Sequence, residues 1–304
     1  MMRPMKLFAL LLATLAGSAI PATAEVVPAA SVAATAATAA KPALWKIADA
    51  DTTIWLFGTI HALPDGVEWM RGPVADAVKS SDQLVTEIPE TPQDQMKAAV
   101  LQNALLPKGK TLRALLSTRD RALYERTLSK FGLPVEAFDR FEPWYAAIAL
   151  TALPLAQTGY SSANGVDERI GEEMKRLGRP RIGLETAEAQ FHMFDSLPLA
   201  VQKRYLAEVL TGIPTINEEL AAIVREWSAG SPDKLALLLN ADEDDPRMTK
   251  VLLTDRNRSW ATWLKARLAQ PGTIFVAVGA GHLAGKDSVQ DVLARSGVTV
   301  TRVQ

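Results

Sequence analysis

The chain has 304 residues, a net charge of −1 and no cysteine. A balance this close to neutral excludes a nucleic-acid partner held by neutralising many phosphates. The lack of cysteine excludes disulfides and thiolate ligands, so any metal must rest on nitrogen and oxygen.

Arg3 and Lys6 precede an apolar run over residues 7–16, and Ala22-Thr23-Ala24 supplies a small-x-small cleavage site. That layout is a secretory signal peptide over residues 1–24. Its apolar run is shorter than the roughly 20 residues of a membrane span. It implies export across the inner membrane, to the periplasm if the source is Gram-negative, with no membrane span after cleavage. Residues 25–43 are alanine-rich without an amphipathic pattern and read as a flexible tether. The length then allows one domain over residues 44–304.

The domain opens with Leu44-Trp45-Lys46-Ile47, a turn at Asp49-Ala50-Asp51, and the β-rich run Thr53 to Phe57. Together they predict a hairpin whose second strand runs into Gly58-Thr59-Ile60-His61. A loop with Pro64, Asp65 and Gly66 follows, then a short helix over 74–81 and a strand over 83–88 that Pro89 ends. From residue 92 to about 177 the period is helical, interrupted at Asn164-Gly165-Val166-Asp167. A short strand over 180–185 comes next, and helices fill 187 to about 265. The strand 273–278 runs into Gly279-Ala280-Gly281-His282, before a helix over 288–296 and a last strand over 298–303. Few short strands between long helical blocks predict an α/β fold, with a small central sheet and a large helical insertion between two strand-Gly-x-x-His units.

The chain holds three histidines, and two of them follow strands in the same way. In open α/β sheets ligands bind beyond the carboxyl ends of strands, and neutral imidazole is both a common metal ligand and a general base. His61 and His282 are therefore the first candidates. Glu87 and Glu185 end their own apolar strands, where a carboxylate can ligate a cation or take a proton from water. Glu185 can equally act at the start of the next helix. Asp167 reads as a first-turn helix acid or a weaker site candidate. Arg256 and Asn257 interrupt a long helix, and Arg256 can orient Glu87 or Glu185 or hold a carboxylate. His192, between Phe191 and Met193, reads as a packed or surface residue. The seven tryptophans are too scattered for a base-stacking platform and read as core or pocket wall.

These residues carry a resemblance. The run Leu44-Trp45-Lys46-Ile47 to Gly58-Thr59-Ile60-His61-Ala62-Leu63-Pro64 resembles the opening of TraB/GumN proteins. Val85-Thr86-Glu87, Asn164-Gly165-Val166-Asp167, Gly183-Leu184-Glu185-Thr186, Arg256-Asn257 and Gly279-Ala280-Gly281-His282-Leu283 continue it in order. The resemblance implies a relative of the Tiki metalloproteases, whose two Gly-x-x-His motifs and glutamate correspond here to His61, His282 and Glu87. It also implies a core shared with erythromycin esterases and haem-binding ChaN-like proteins, so one fold serves hydrolysis and binding. Ser288 stands where the family often has glycine, at a helix start that serine also suits.

The expectation is a secreted metal-dependent hydrolase acting on a peptide or protein. His61, His282 and Glu87 are its catalytic residues and metal ligands, and Glu185, Arg256, Asn257 and Asp167 lie around them. Nitrogen and oxygen ligands suit zinc, manganese or cobalt as the divalent cation. Two alternatives stand beside it: a non-catalytic binder of metal, haem or a small ligand, and a metal-free hydrolase using a histidine and Glu87.

Overall fold

The computed structural model describes residues 39–155, 158–240 and 245–304. The expected signal peptide and residues 25–38 of the expected tether lie outside the described residues. The rest of that tether is part of the fold: Ala40 is buried and donates to the Glu68 carbonyl (3.0 Å), and Lys41 donates to that of Ser228 (2.8 Å). The packed chain thus begins before residue 44. The fold is mixed α/β, as the alternation of strands and helical blocks predicts, and the chain divides into two compact units.

One unit comprises residues 39–90, Gly159–Thr186 and Glu218–Gln304. Its hairpin joins β1 (Leu44–Ala48) to β2 (Thr52–Thr59), with Leu44 opposite Phe57 and Ala48 opposite Thr53. The turn between them closes on Asp49, whose carboxylate accepts from the backbone N–H groups of Asp51 and Thr52, the local bonding that favours aspartate in turns. The sheet continues with β4 (Gln83–Thr86), β6 (Arg181–Gly183), β7 (Gly272–Gly279) and β8 (Thr301–Arg302), in the order β6-β4-β7-β2-β1-β8. The two-residue strands β3 (Leu63–Pro64) and β5 (Tyr160–Ser161) pair separately, which no pattern in the sequence announces.

The four strands β6, β4, β7 and β2 run parallel. Both faces of such strands are covered, so their sequences are nearly continuous apolar runs. On one face Ile54, Leu56, Val85, Ile274 and Val276 pack with Trp260, Leu264 and Leu293, from the helices Asp255–Arg267 and Val289–Arg295. Phe57, Phe275, Trp69 and Trp227 form an aromatic cluster with ring centroids 5.7–6.2 Å apart, and the Trp227 indole donates to the Gly58 carbonyl at 2.7 Å. Burying each such side chain contributes roughly 1.5–3 kcal/mol. The strands are thereby held rigid, and residues just past their ends inherit that rigidity. Register then puts the ends together. Thr59 lies opposite Gly279, Thr86 opposite Ala277, and Thr86 opposite Gly183. His61, His282, Glu87 and Glu185 therefore leave four adjacent strands at one sheet edge.

The other unit, Thr91–Thr158 with Ala187–Asn217, is the helical insertion. Its helix Pro143–Leu155 is buried on nearly every side, which explains why it has no polar face. Trp144 is stacked on Phe194, with centroids 5.4 Å apart. His192 lies on the helix Ala187–Asp195 of this unit and is exposed. Among the described residues, no helix is long and apolar enough to cross a membrane.

Candidate active site

The site lies wholly within the sheet unit. Two residues past β2, His61 is half-buried, and its Nδ1–H donates to Oδ2 of Asp167 at 2.5 Å. Asp167 is the second residue of the helix Val166–Arg176. Its arrival at His61 depends on the turn before it. The Val166 N–H donates to the Ile60 carbonyl (2.9 Å), and Gly165 lies so close to His61 that a Cβ there would be 2.5 Å from the His61 carbonyl oxygen. Gly165 is thus required for close approach between two backbones. Gly165→Ala is expected to push the loop off His61, loosening the His61–Asp167 bond and costing about 1–3 kcal/mol of stability. The imidazole NMR signals of His61 and thermal melts check both effects.

Burial works against the Asp167 charge, but its interaction with His61 outweighs this and holds the carboxyl below the usual range. The carboxylate fixes the imidazole tautomer: a neutral His61 carries its proton on Nδ1, which assigns acid–base chemistry to Nε2.

Past β4, β6 and β7 a second cluster forms around Arg256. This side chain is buried on the helix Asp255–Arg267, directly after a π-wound turn over Lys250–Thr254; such turns gather at functional sites. Its Nε and Nη2 donate to the Glu185 carboxylate (3.0 and 2.9 Å), and Nη2 also donates to Glu87 Oε2 (2.5 Å). Its Nη1 donates to the Leu252 carbonyl (3.2 Å) and to His282 Nε2 (3.1 Å). Glu87 Oε1 accepts from the Gly279 N–H at 2.8 Å, so the first residue of the second Gly-x-x-His unit is tied to the glutamate. Trp260 donates its indole N–H to Glu185 Oε1 (2.9 Å), while its ring lies 4.6 Å from the guanidinium carbon and 4.4 Å from the His282 ring.

His282 occupies a 3₁₀ turn, Ala280–Leu283, and is 1 % exposed. The Asn257 amide N–H donates to the Asp287 carbonyl (2.8 Å), which points its oxygen at His282 Nδ1 (2.6 Å). His282 is therefore a neutral imidazole, donating at Nδ1 and accepting from Arg256 at Nε2. Burial, and then the Arg256 charge, push its pKa down to about 3. Glu87 is held at about 2: burial opposes its charge, and the charge of Arg256 is the largest of the attractions that prevail. A protonated His61 acts on both Glu87 and His282, so the two clusters share one electrostatic neighbourhood.

These shifts set the acid stability. Between pH 6.5 and about 3 the unfolded chain takes up a proton at His282 that the folded chain refuses. Between 4.5 and about 2 the same holds at Glu87. Both make the fold lose stability as the pH falls. The melting temperature is expected to decline steadily from pH 7 to pH 4, and His282→Gln is expected to flatten the part above pH 5. A slope unchanged by that variant would deny His282 its share.

The structure thus gathers every expected site residue into this unit and gives several of them specific partners. Asp167, read as a first-turn helix acid or weaker candidate, is the partner of His61. Asn257 holds the second histidine. Arg256 orients Glu87 and Glu185 together. The donor types would suit a divalent cation, but their arrangement does not. Among the described residues, no three His, Asp or Glu side chains are grouped to hold a metal ion. The Arg256 guanidinium donates to His282, Glu87 and Glu185 alike, engaging atoms that such an ion would need as ligands.

A mixed sheet whose four parallel strands bring two histidines and two glutamates to one edge defines the class, and comparison with known proteins gives the family. The TraB/PrgY/gumN family model matches residues 43–302, and the chain belongs to that family. It is 26 % identical over 241 residues to the uncharacterized protein YbaP of Escherichia coli (strain K12), covering 78 % of this chain and 86 % of that one. An uncharacterized protein of Treponema pallidum (strain Nichols) is 24 % identical over 271 residues, covering 83 % and 80 %. Metalloprotease TIKI2 of Danio rerio is 24 % identical over 304 residues, covering 81 % of this chain and 57 % of the relative. No solved structure matches the chain.

Proposed function

We propose that the protein is a hydrolase of peptide bonds in which His61 is the general base and Asp167 its orienting carboxylate. The observation that carries this reading is the 2.5 Å bond from His61 Nδ1 to Asp167. It fixes the tautomer and leaves Nε2 to take a proton from water, the base–orienter arrangement that recurs in acyl-transfer sites. In the reaction, Nε2 removes a water proton as the water oxygen bonds to the scissile carbonyl carbon. Asp167 stabilises the imidazolium so formed, and the Glu87 carboxylate, within electrostatic reach of His61, adds to that stabilisation. The imidazolium then returns its proton to the amine nitrogen as the carbon–nitrogen bond breaks. The peptide bond as target is supported by the likeness to a relative named as a metalloprotease, and the expected signal peptide suits a substrate outside the cytoplasm.

A metal-dependent form of the same hydrolysis is the second reading. It is favoured by that relative's name, and it would require His282 Nε2 and Glu87 Oε1, 3.8 Å apart, to give up their bonds from Arg256 and the Gly279 N–H. In it, His61, His282 and Glu87 would hold a divalent cation, which lowers the pKa of bound water and polarises a carbonyl. Screening a peptide library with the wild type, His61→Ala and a chelated sample separates the readings. The first expects cleavage that survives chelation and disappears with His61; the second expects cleavage that disappears with the cation and returns on its addition. Cleavage by His61→Ala at the wild-type rate would sink both.

A further inference from the structure

We propose that Arg256 is the resident cation of this site: its fixed guanidinium takes the place between His282, Glu87 and Glu185 that the family resemblance would give to a metal ion. The second Gly-x-x-His unit is then a positioning element. This deepens the metal-free reading of the site, yet its test does not depend on finding a substrate.

The guanidinium has five N–H groups and no acceptor, and all five are engaged. Here Nε–H is spent on Glu185, the two on Nη1 on the Leu252 carbonyl and His282, and the two on Nη2 on Glu87 and Glu185. None remains for a substrate or for an oxyanion. The side chain is 7 % exposed, and the Trp260 ring supports it at cation–π distance. A metal ion at His282 would need the Nε2 lone pair that Arg256 Nη1 already engages. It would also bring a double charge against a guanidinium that cannot deprotonate.

Glu87 is committed as well, with Oε1 on the Gly279 N–H and Oε2 on Arg256. Through that pair of bonds one glutamate ties the arginine to the start of the His282 turn. Asn257, next to Arg256 on the same helix, holds the far side of the His282 ring. Arg256 and Asn257 thus fix both nitrogens of His282 from adjacent positions. Such double fixing suits a structural imidazole that is never required to exchange ligands or protons.

Titration of the purified full chain with Zn²⁺, Mn²⁺ and Co²⁺ tests this, read by the imidazole NMR signals of His282 and by metal retained after gel filtration. The expected result is a neutral, Nδ1-protonated His282 whose signals ignore all three ions, with no metal equivalent that depends on it. Arg256→Gln should then gain what the wild type lacks: with the cation removed, Glu87, Glu185 and His282 surround its place. Zn²⁺ should raise the melting temperature of this variant by several degrees, and should not do so once His282→Gln is added. One equivalent of metal bound by the wild type and lost in His282→Gln overturns the proposal. Should Arg256→Gln fail to fold, the wild-type titration decides alone. Failure to cleave any peptide would remove the hydrolase reading and leave the role of Arg256 as resident cation unaffected.

Discussion

Asp167→Asn is expected to reduce kcat by about 10³–10⁴-fold while shifting the melting temperature by only a few degrees. The size follows from what the carboxylate does. With Asp167 ionised, the imidazole proton sits on Nδ1 and Nε2 can accept another; an amide in the same place can present its own N–H to Nδ1 and force the proton to Nε2. A histidine in the wrong tautomer is no base, and losses near 10⁴-fold accompany that exchange in acyl-transfer sites. The amide also carries no charge to stabilise the imidazolium. The fold should tolerate the change because Asn is nearly isosteric and Asp167 sits in the first helical turn, where the dipole favours an acid by only about 0.3–1 kcal/mol. Steady-state kinetics on the best library peptide, beside a thermal melt, check both parts. A loss confined to KM would make Asp167 a substrate contact instead. The acid limb of the wild-type profile offers a second check. His282 at about 3 and Glu87 at about 2 are already past titration near neutrality, so a limb above pH 5 belongs to neither.

The sheet edge was legible in the sequence because strands announce their ends. Ile54 to Phe57 and Ile274 to Val278 are continuous apolar runs closed by glycine, and Val85 stands one residue before Thr86 and two before Glu87 in a strand that Pro89 stops. Placing His61 and His282 beyond those ends, and Glu87 and Glu185 at the ends of theirs, therefore required only local reasoning; the structure ends both carboxylate strands earlier, at Thr86 and Gly183. The order of the strands was not legible, since β7 enters between β2 and β4 through a crossover from the far end of the chain. The partners of the histidines were hidden for the same reason. Asp167 is 106 residues from His61, and a contact across that interval depends on where a helix returns. Two features of the fold point to such partners, and neither can be read from the sequence. Asn257 is fully buried in a helix, where an amide needs a specific acceptor or donor. Gly165 precedes Asp167 where the turn could have used another residue, since its φ of −53° needs no glycine. Its role is proximity to His61, which sequence alone cannot measure.

Arg256→Met is expected to cost about 3–5 kcal/mol of stability, the range for breaking a buried ion pair by removing one partner. The methionine fills much of the volume, so packing is a small part of this. The larger part is electrostatic: Glu87 and Glu185 lose their shared cation while their carboxylates stay at 12 % and 11 % exposure. Deprived of Arg256, Glu87 should take up a proton far more readily, because burial, the largest influence on it, then acts with less opposition. The stability deficit should consequently shrink as the pH is lowered from 7 towards 5, where protonation relieves the repulsion. That sign is opposite to the wild type, which loses stability over the same interval through His282. His282 in the variant loses its Nε2 donor and the guanidinium charge that helps keep it neutral, so it too protonates earlier and meets two carboxylates when it does. Denaturant melts at pH 7 and pH 5 give the two differences directly. Arg256→Lys keeps the charge without the planar fork and should fall between, since an ammonium has three donors for a set of acceptors that now engages five N–H groups. If Arg256→Met melts like the wild type at pH 7, the guanidinium is not the element that holds these strand ends together.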